Sequence, residues 1–184
     1  MLEKVFVNRT LNLRKIKYIG LDMDHTLVRY NTQAFEGLAY KGMLNKLVNE
    51  KSYPEEILKL SFDYNSVIRG LVVDSANGNL LKVSRHGAIR VSRHGTQNIS
   101  FHQQQKDYRG TYVDLGSPDF SAIDTSFSIS VAVLFSQLVS LKDDHPNSYP
   151  EFPQLLEDIV EVMDMSHRDD SLKSVVRENK NKYI

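Results

Sequence analysis

The spacing of hydrophobic residues near the start of the chain changes from a short apolar run to a helical repeat. The run extends over residues 16–21 and stops at Asp22, and its short length and β-branched residues predict a buried strand. Over residues 32–50 the apolar positions recur at helical spacing, which predicts an amphipathic helix. Residues 52–60 begin with Ser-Tyr-Pro-Glu-Glu, which indicates the start of another helix.

The middle of the chain has the turn residues and strand formers of an antiparallel sheet. Residues 71–73 predict a strand, and Asn77-Gly78 predicts a tight turn into a second strand at 80–83. The pentapeptide Val-Ser-Arg-His-Gly occurs at 83–87 and again at 91–95, which we interpret as two strands joined by a turn. The histidines of this repeat then occupy exposed hairpin positions, and we prefer this interpretation to a metal site.

Helical patterns dominate the last third of the chain. We predict helices over residues 129–141 and around 155–163, separated by a polar loop at 142–150. A last helix near 172–176 is expected to turn its leucine and valines inward. Because strand and helix patterns alternate along the chain, the predicted fold class is α/β.

The order of elements suggests three segments. Residues 1–30 hold one core strand and the loop after it, residues 31–170 form a large insertion after that strand, and residues 171–184 form a last helix. By the resemblance described below, the insertion corresponds to a cap and the last helix returns to the core.

The composition argues against several classes of protein. Lysine plus arginine and aspartate plus glutamate are equal at 23 each among 184 residues, so no strong field attracts nucleic acid or an anionic membrane. The sequence has no cysteine, which excludes disulfides and thiolate metal sites. The longest apolar stretch, residues 129–141, is too short and too polar to cross a bilayer, and residues 1–4 do not begin a signal peptide. We therefore predict a cytoplasmic protein that binds neither nucleic acid nor membranes.

The segment Asp22-Met23-Asp24-His25-Thr26-Leu27 follows directly after the predicted strand. Two carboxylates at the carboxyl end of a strand share one crevice, where one can attack phosphorus and the other can protonate the leaving oxygen. A divalent cation is needed between the anionic phosphate and the first carboxylate, and Mg²⁺ suits these hard oxygen ligands. Thr26 can fix the loop by bonding back to Asp24 or to the backbone. The alternative is a strand-end turn in which an aspartate caps a helix.

This hexapeptide resembles the first motif of the haloacid-dehalogenase superfamily of phosphohydrolases. Over residues 19–173 the chain more specifically resembles the cytosolic purine 5′-nucleotidases of the IMP/GMP-preferring type, because further motifs occur in the order of that family. These motifs are Gly20-Leu21-Asp22-Met23-Asp24, Arg69-Gly70-Leu71-Val72-Val73-Asp74, Gly78-Asn79-Leu80-Leu81-Lys82-Val83, Asp124-Thr125-Ser126-Phe127-Ser128 and Ser171-Leu172-Lys173.

The resemblance implies both a fold and a reaction. The implied fold is a haloacid-dehalogenase-type, Rossmann-like core fragment that carries a large α/β cap. By the same resemblance, Asp22 forms an aspartyl-phosphate, Asp24 acts as general acid and then as base, and Mg²⁺ is ligated by Asp22 and the main-chain carbonyl of Asp24. The implied substrates are purine nucleoside 5′-monophosphates of the IMP/GMP type. We expect the complete enzyme to be a homo-oligomer.

The resemblance also implies contacts with the substrate. Thr26 is counted among the substrate-binding residues, and Phe127 matches the aromatic residue on which the purine stacks. Asp164, His167 and Lys173 match nucleotide contacts on the cap side. Without the resemblance, Phe127 is expected in the core, Asp164 and His167 as a surface pair on one helix, and Lys173 as a solvated side chain.

The chain departs from the pattern of the family in ways that leave its base preference open. Ser128 replaces an asparagine, Val160 a base-contacting arginine, Arg168 a tyrosine, and His25 the tyrosine of the best-known members. The chain also stops near the expected start of a second core strand, so we interpret it as the N-terminal part of a longer enzyme, inactive by itself. Two alternatives are a phosphatase or phosphotransferase for another phosphorylated metabolite and a non-catalytic protein with the cap as its interaction surface.

Overall fold

The computed structural model describes residues 12–125 and 128–184. The chain divides into two compact units, Met1–Tyr30 and Asn31–Ile184. Phe127, the predicted platform for a purine, lies outside the described residues.

The described part of the first unit contains a short 3-10 turn at Leu13–Lys15 and a tight turn at residues 25–27, and the rest of it is irregular. The buried strand predicted over residues 16–21 is not formed, and Tyr18 and Ile19 within it are 90% and 81% exposed. A strand of a parallel sheet becomes buried only when neighbouring strands pair with it and helices cover its faces. No strand in the described part of the chain pairs with this segment, so its apolar side chains remain exposed.

Six helices occur in the described part of the second unit. They are α1 Thr32–Lys51, α2 Phe101–Asp107, α3 Ile129–Asp144, α4 Phe152–Arg168, α5 Ser171–Glu178 and α6 Lys180–Tyr183. The prediction of α1 is confirmed. Its N-cap is Asn31, whose side-chain oxygen accepts a hydrogen bond from the Ala34 N–H at 3.3 Å. Residues 52–60 form only a 3-10 turn at Glu55–Lys59.

Two features of the helices differ from the prediction. The sequence pattern did not predict α2, because this short helix is polar and buries only Gln104. Helix α3 continues three residues past its predicted end at Leu141, into the segment predicted as a loop.

Five short strands form one antiparallel sheet in the second unit. They are β1 Leu71–Asp74, β2 Asn79–Val83, β3 Ile89–His94, β4 Gln97–Asn98 and β5 Phe120–Ala122, in the spatial order β4-β3-β2-β1-β5. The predicted hairpins are confirmed. The turn between β1 and β2 places Gly78 at a φ of 68°, a conformation that glycine adopts without steric cost.

The main hydrophobic core lies between one face of the sheet and helices α1, α3 and α4. Ala39, Leu134, Phe135, Leu155 and Ile159 are completely inaccessible to solvent. The opposite face carries a smaller cluster built on Val72, Leu81 and Tyr108.

A chain of polar side chains ties the sheet to the end of α3. The two ring nitrogens of His94 lie 2.7 Å from the Asn79 side-chain oxygen and 2.9 Å from an Asp143 carboxylate oxygen. Asn79 donates to the Tyr108 hydroxyl, which donates to Asp74. The prediction that His94 is an exposed hairpin residue is therefore wrong, because this network half-buries it.

The second unit confirms a mixed α/β protein with an open antiparallel sheet. The haloacid-dehalogenase-type core and the cap stay predictions. In the described part of the chain, no helix combines the length and the apolar character needed to cross a lipid bilayer.

Candidate active-site loop and groove

The loop that carries Asp22 and Asp24 is folded around a single carbonyl group. The Met23 carbonyl accepts hydrogen bonds of 2.9–3.4 Å from the amides of residues 26–28, and the His25 N–H donates to the Val28 carbonyl at 2.8 Å. The bond from Thr26 is donated by its main-chain amide, so the predicted bond from the Thr26 side chain stays a prediction. His25 has a φ of 58°, and a non-glycine residue there is uncommon outside functional or tight-turn positions.

The second carboxylate of the pair is held by a tyrosine at the end of the loop. The Tyr30 hydroxyl donates a hydrogen bond of 2.8 Å to Oδ1 of Asp24. This hydrogen bond, with burial and the negative charge of Asp24, raises the pKa of Tyr30 above its ordinary value. The ring of His25 meets the ring of Tyr30 edge-on, with centroids 5.4 Å apart. The loop therefore fixes the orientation of Asp24 through Tyr30, whereas Asp22 lies in an exposed, irregular part of the chain.

The donor atoms on this loop suit a hard divalent cation. The exposed Asp22 carboxylate and the Asp24 main-chain carbonyl are oxygen ligands of the kind that Mg²⁺ prefers, and Mg²⁺ usually retains several waters. Within the described residues no group of three or more histidine or acidic side chains is arranged to hold a metal. The described loop can therefore supply only part of a coordination shell.

The second unit contains a groove formed by two neighbouring cavities of about 530 and 180 Å³. Both cavities are lined by Ser121 at the β5 edge and by Leu156 and Val160 on α4. The smaller cavity has an apolar floor made of Val73, Ile123, Val131 and Ala132, with Ser128 at the start of α3. The groove therefore combines an apolar end with the first turn of α3.

The larger cavity has an acidic lining. Its carboxylates come from Asp119, Glu157, Glu161 and Asp164. Two of these carboxylates are in ion pairs, Glu161 with Lys51 at 2.5 Å and Asp164 with Arg168 at 3.4 Å. These exposed pairs leave carboxylate oxygens at the wall of the cavity, which favours ligands that carry hydrogen-bond donors.

The predicted substrate contacts are distributed unevenly around this groove. Asp164 lines the larger cavity, and Ser128, the neighbour of Phe127, lines the smaller one. Val160, which stands where the family has an arginine, lies between them and is 46% exposed. His167 is half-buried on α4 and Lys173 is exposed on α5, and neither is among the described residues that line the two cavities.

Several residues of the loop and groove were not identified from the sequence. Tyr30 lies six residues after Asp24. Its hydroxyl group, near the motif in sequence, was the only feature that could have indicated its hydrogen bond to Asp24. Ser121 and Leu156 carry no chemical pattern, so only the packing of β5 against α4 reveals that they line the groove.

Comparisons with known proteins point to one family. The model of the 5′ nucleotidase family matches residues 5–184. A 72-residue stretch, 39% of this chain, is 38% identical to 16% of the length of human 5′-nucleotidase domain-containing protein 1. An 81-residue stretch, 44% of this chain, is 36% identical to 14% of the length of a 5′-nucleotidase domain-containing protein of Dictyostelium discoideum. The aligned stretches thus span less than a fifth of either relative, whereas the family match covers nearly the whole chain. The chain belongs to the 5′ nucleotidase family.

Proposed function

We propose that the protein is a magnesium-dependent phosphohydrolase that converts purine nucleoside 5′-monophosphates of the IMP/GMP type to nucleoside and phosphate. The observation that carries the proposal is the Asp22–Asp24 pair on a hydrogen-bonded loop, in a chain of the 5′ nucleotidase family. The reaction passes through an aspartyl-phosphate on Asp22.

In the first half of the reaction, a carboxylate oxygen of Asp22 attacks the phosphorus of the 5′-phosphate. The bond between phosphorus and the ribose O5′ breaks, and Asp24 donates a proton to O5′ as the nucleoside leaves. The hydrogen bond from Tyr30 occupies Oδ1 of Asp24, so the proton is carried on Oδ2. Tyr30 thereby sets which oxygen of Asp24 faces the leaving group.

In the second half, Asp24 is a carboxylate and acts as general base. It takes a proton from a water molecule, which attacks the phosphorus of the aspartyl-phosphate and breaks the bond to the Asp22 oxygen. Inorganic phosphate leaves, Asp22 is again a carboxylate and Asp24 is again protonated. Mg²⁺, held by the Asp22 carboxylate and the Asp24 carbonyl, would offset the negative charge of the phosphate.

The groove of the second unit is proposed to bind the nucleoside part of the substrate. Its apolar end, with Val131 and Ala132, suits the face of a purine ring. Phe127 is proposed as the stacking platform next to Ser128, and Asp164 as an acceptor for donor groups on the base. His167, Lys173 and Thr26 stay proposed substrate contacts.

The test is phosphate release by the purified complete enzyme with Mg²⁺, from IMP, GMP, AMP and a small generic phosphate ester. We expect turnover of the purine monophosphates, and Asp22→Asn should reduce it by at least about 10³-fold because a carboxamide cannot form the acyl-phosphate. Asp144→Asn, which changes an exposed aspartate at the end of α3, is the matched control and should leave turnover unchanged. Near wild-type phosphate release by Asp22→Asn would contradict the mechanism.

The substrate panel also separates the alternatives. Turnover of the generic ester without preference for nucleotides would make the protein a phosphatase for another metabolite. Absence of turnover by the complete enzyme on every substrate in the presence of Mg²⁺ would favour an interaction protein. The proposed cytoplasmic location and homo-oligomeric state are tested separately, by fractionation of cells and by the mass of the purified protein in solution.

A further inference from the structure

Glu36 on α1 is a completely buried carboxyl group whose partner lies on another helix. Its Oε2 accepts a hydrogen bond of 2.8 Å from the Ser130 N–H, at the start of α3. Burial raises the pKa of Glu36 to about 7, although the hydrogen bonds from Ser130 act in the opposite direction. A buried carboxyl group is costly unless it is hydrogen-bonded, and the bond from the Ser130 N–H offsets part of that cost.

The contact replaces a cap that the local sequence does not provide. The first amides of a helix need acceptors, which a side chain at the N-cap usually supplies. The N-cap of α3 is Ser128, and in the described part of the chain its side chain makes no capping bond. The Ser128 hydroxyl lies instead 2.8 Å from the hydroxyl of Thr125. Glu36, far away in sequence, therefore supplies the acceptor for the first turn of α3.

That first turn is also part of the groove. Ser128, Val131 and Ala132 line the smaller cavity, and Ser130, which binds Glu36, lies between them. We propose that Glu36 is a positioning residue that holds the first turn of α3 in the conformation that binds the nucleoside. This inference rests on the proposed function in naming the nucleoside as the ligand of the groove.

A second contact confines the effect of Glu36 to one end of α3. The Tyr40 hydroxyl, one turn later on α1, donates to the Gln137 side chain near the middle of α3. Gln137 in turn donates to the Ser61 carbonyl at 2.9 Å. Because these bonds hold the body of α3 independently, loss of the Glu36 contact should loosen the first turn and leave the rest of the helix docked.

Two substitutions of similar size separate positioning from simple packing. Glu36→Gln keeps a side-chain oxygen that accepts from the Ser130 N–H, whereas Glu36→Met keeps the volume and removes the acceptor. Glu50→Met changes an exposed glutamate of the same helix and is the control. We expect a large effect from Glu36→Met, a much smaller effect from Glu36→Gln and no effect from Glu50→Met.

The first measurement is amide hydrogen exchange, which requires no assumption about the substrate. In Glu36→Met the Ser130 amide should exchange at least about 10-fold faster, while amides near Gln137 stay protected. In Glu36→Gln the Ser130 amide should exchange within about 3-fold of wild type. Unchanged protection of Ser130 in Glu36→Met would overturn the inference, whatever the substrate proves to be.

The second measurement compares two substrates. Glu36→Met should raise KM about 5- to 20-fold for a purine monophosphate without changing kcat for a small generic ester, and Glu36→Gln should restore KM. If Glu36→Met lost equal activity on both substrates, or if Glu36→Gln did not restore KM for the nucleotide, Glu36 would have a purely structural role and the inference that it positions α3 would be overturned. If wild type hydrolyses the ester but no nucleotide, the proposed function fails. If, in that case, Glu36→Met hydrolyses the ester as fast as wild type and its Ser130 amide exchanges faster, only the capping role of Glu36 is retained.

Discussion

The Tyr30 hydroxyl donates a hydrogen bond of 2.8 Å to Oδ1 of Asp24, the second carboxylate of the motif. The six-residue separation closes the loop on itself, since the Met23 carbonyl already gathers the amides of residues 26–28. Both carboxylates of the motif are exposed, and the hydrogen bond from Tyr30 distinguishes them. It gives Asp24 a fixed donor on one oxygen and leaves the other oxygen for proton transfer.

This relationship predicts the effect of Tyr30→Phe. The substitution removes the donor and keeps the ring that meets His25, so the loop should stay folded while Asp24 loses its orientation. We expect kcat for nucleotide hydrolysis to fall about 3- to 30-fold with little change in KM. Tyr18→Phe, at a tyrosine that is 90% exposed in the same unit, is the control and should be silent. A wild-type kcat for Tyr30→Phe would remove Tyr30 from the mechanism.

The substitution Val160→Trp is predicted to block the groove without altering the loop that carries Asp22 and Asp24. Its side chain is 46% exposed and lines both cavities, so Val160→Trp should fill the space proposed for the nucleoside. KM for a purine monophosphate should rise about 10-fold or more, and turnover of a small generic ester should persist. Val91→Trp, at a valine of β3 that is 48% exposed, is the control. Unaltered nucleotide kinetics in Val160→Trp would place the nucleoside elsewhere.

Phe127, outside the described residues, carries a prediction that follows from the resemblance. Stacking of a base on an aromatic side chain contributes about 1–3 kcal/mol in nucleic-acid binders. Phe127→Ala should therefore raise KM for a purine monophosphate about 5- to 150-fold and leave a generic ester almost unaffected. Phe101→Ala, at an exposed phenylalanine that begins α2, is the control. Equal losses on both substrates would make Phe127 a core residue.

The pKa of Glu36 predicts how stability changes with pH. Burial raises this pKa from 4.5 to about 7, so the folded protein binds the proton more tightly than the unfolded chain. The resulting stabilisation is fully present below about pH 4.5 and is lost as pH rises through about 7. The full difference is of order 3 kcal/mol.

Glu36→Gln removes this titration and should be more stable than wild type at about pH 8, with the difference shrinking toward about pH 5. Denaturant unfolding across that range measures it, and Glu50→Gln, at an exposed position of α1, is the control. A constant difference between Glu36→Gln and wild type at every pH would show that Glu36 does not titrate in this window.

The sequence determined the elements whose signals are local. Helix α1 has apolar residues at helical spacing and a capping Asn31, and the turn at Asn77-Gly78 needs a glycine at positive φ, so both could be predicted from neighbouring residues. The Asp22–Asp24 pair could be recognised in the same way, because the motif that carries it consists of six consecutive residues. The short polar helix α2, which buries only Gln104, gave no such signal.

Tertiary structure decided everything that depends on residues distant in sequence. The run at residues 16–21 has the composition of a buried strand, yet burial requires partner strands, and none in the described chain pairs with it. His94 is half-buried because Asp143, on a distant helix, meets its ring. The groove and the cap that Glu36 provides for α3 arise in the same way, since only packing brings Ser121 to Val160 and α1 to Ser130. Local patterns specify the backbone, whereas environments and contacts between elements are fixed only when the chain is folded.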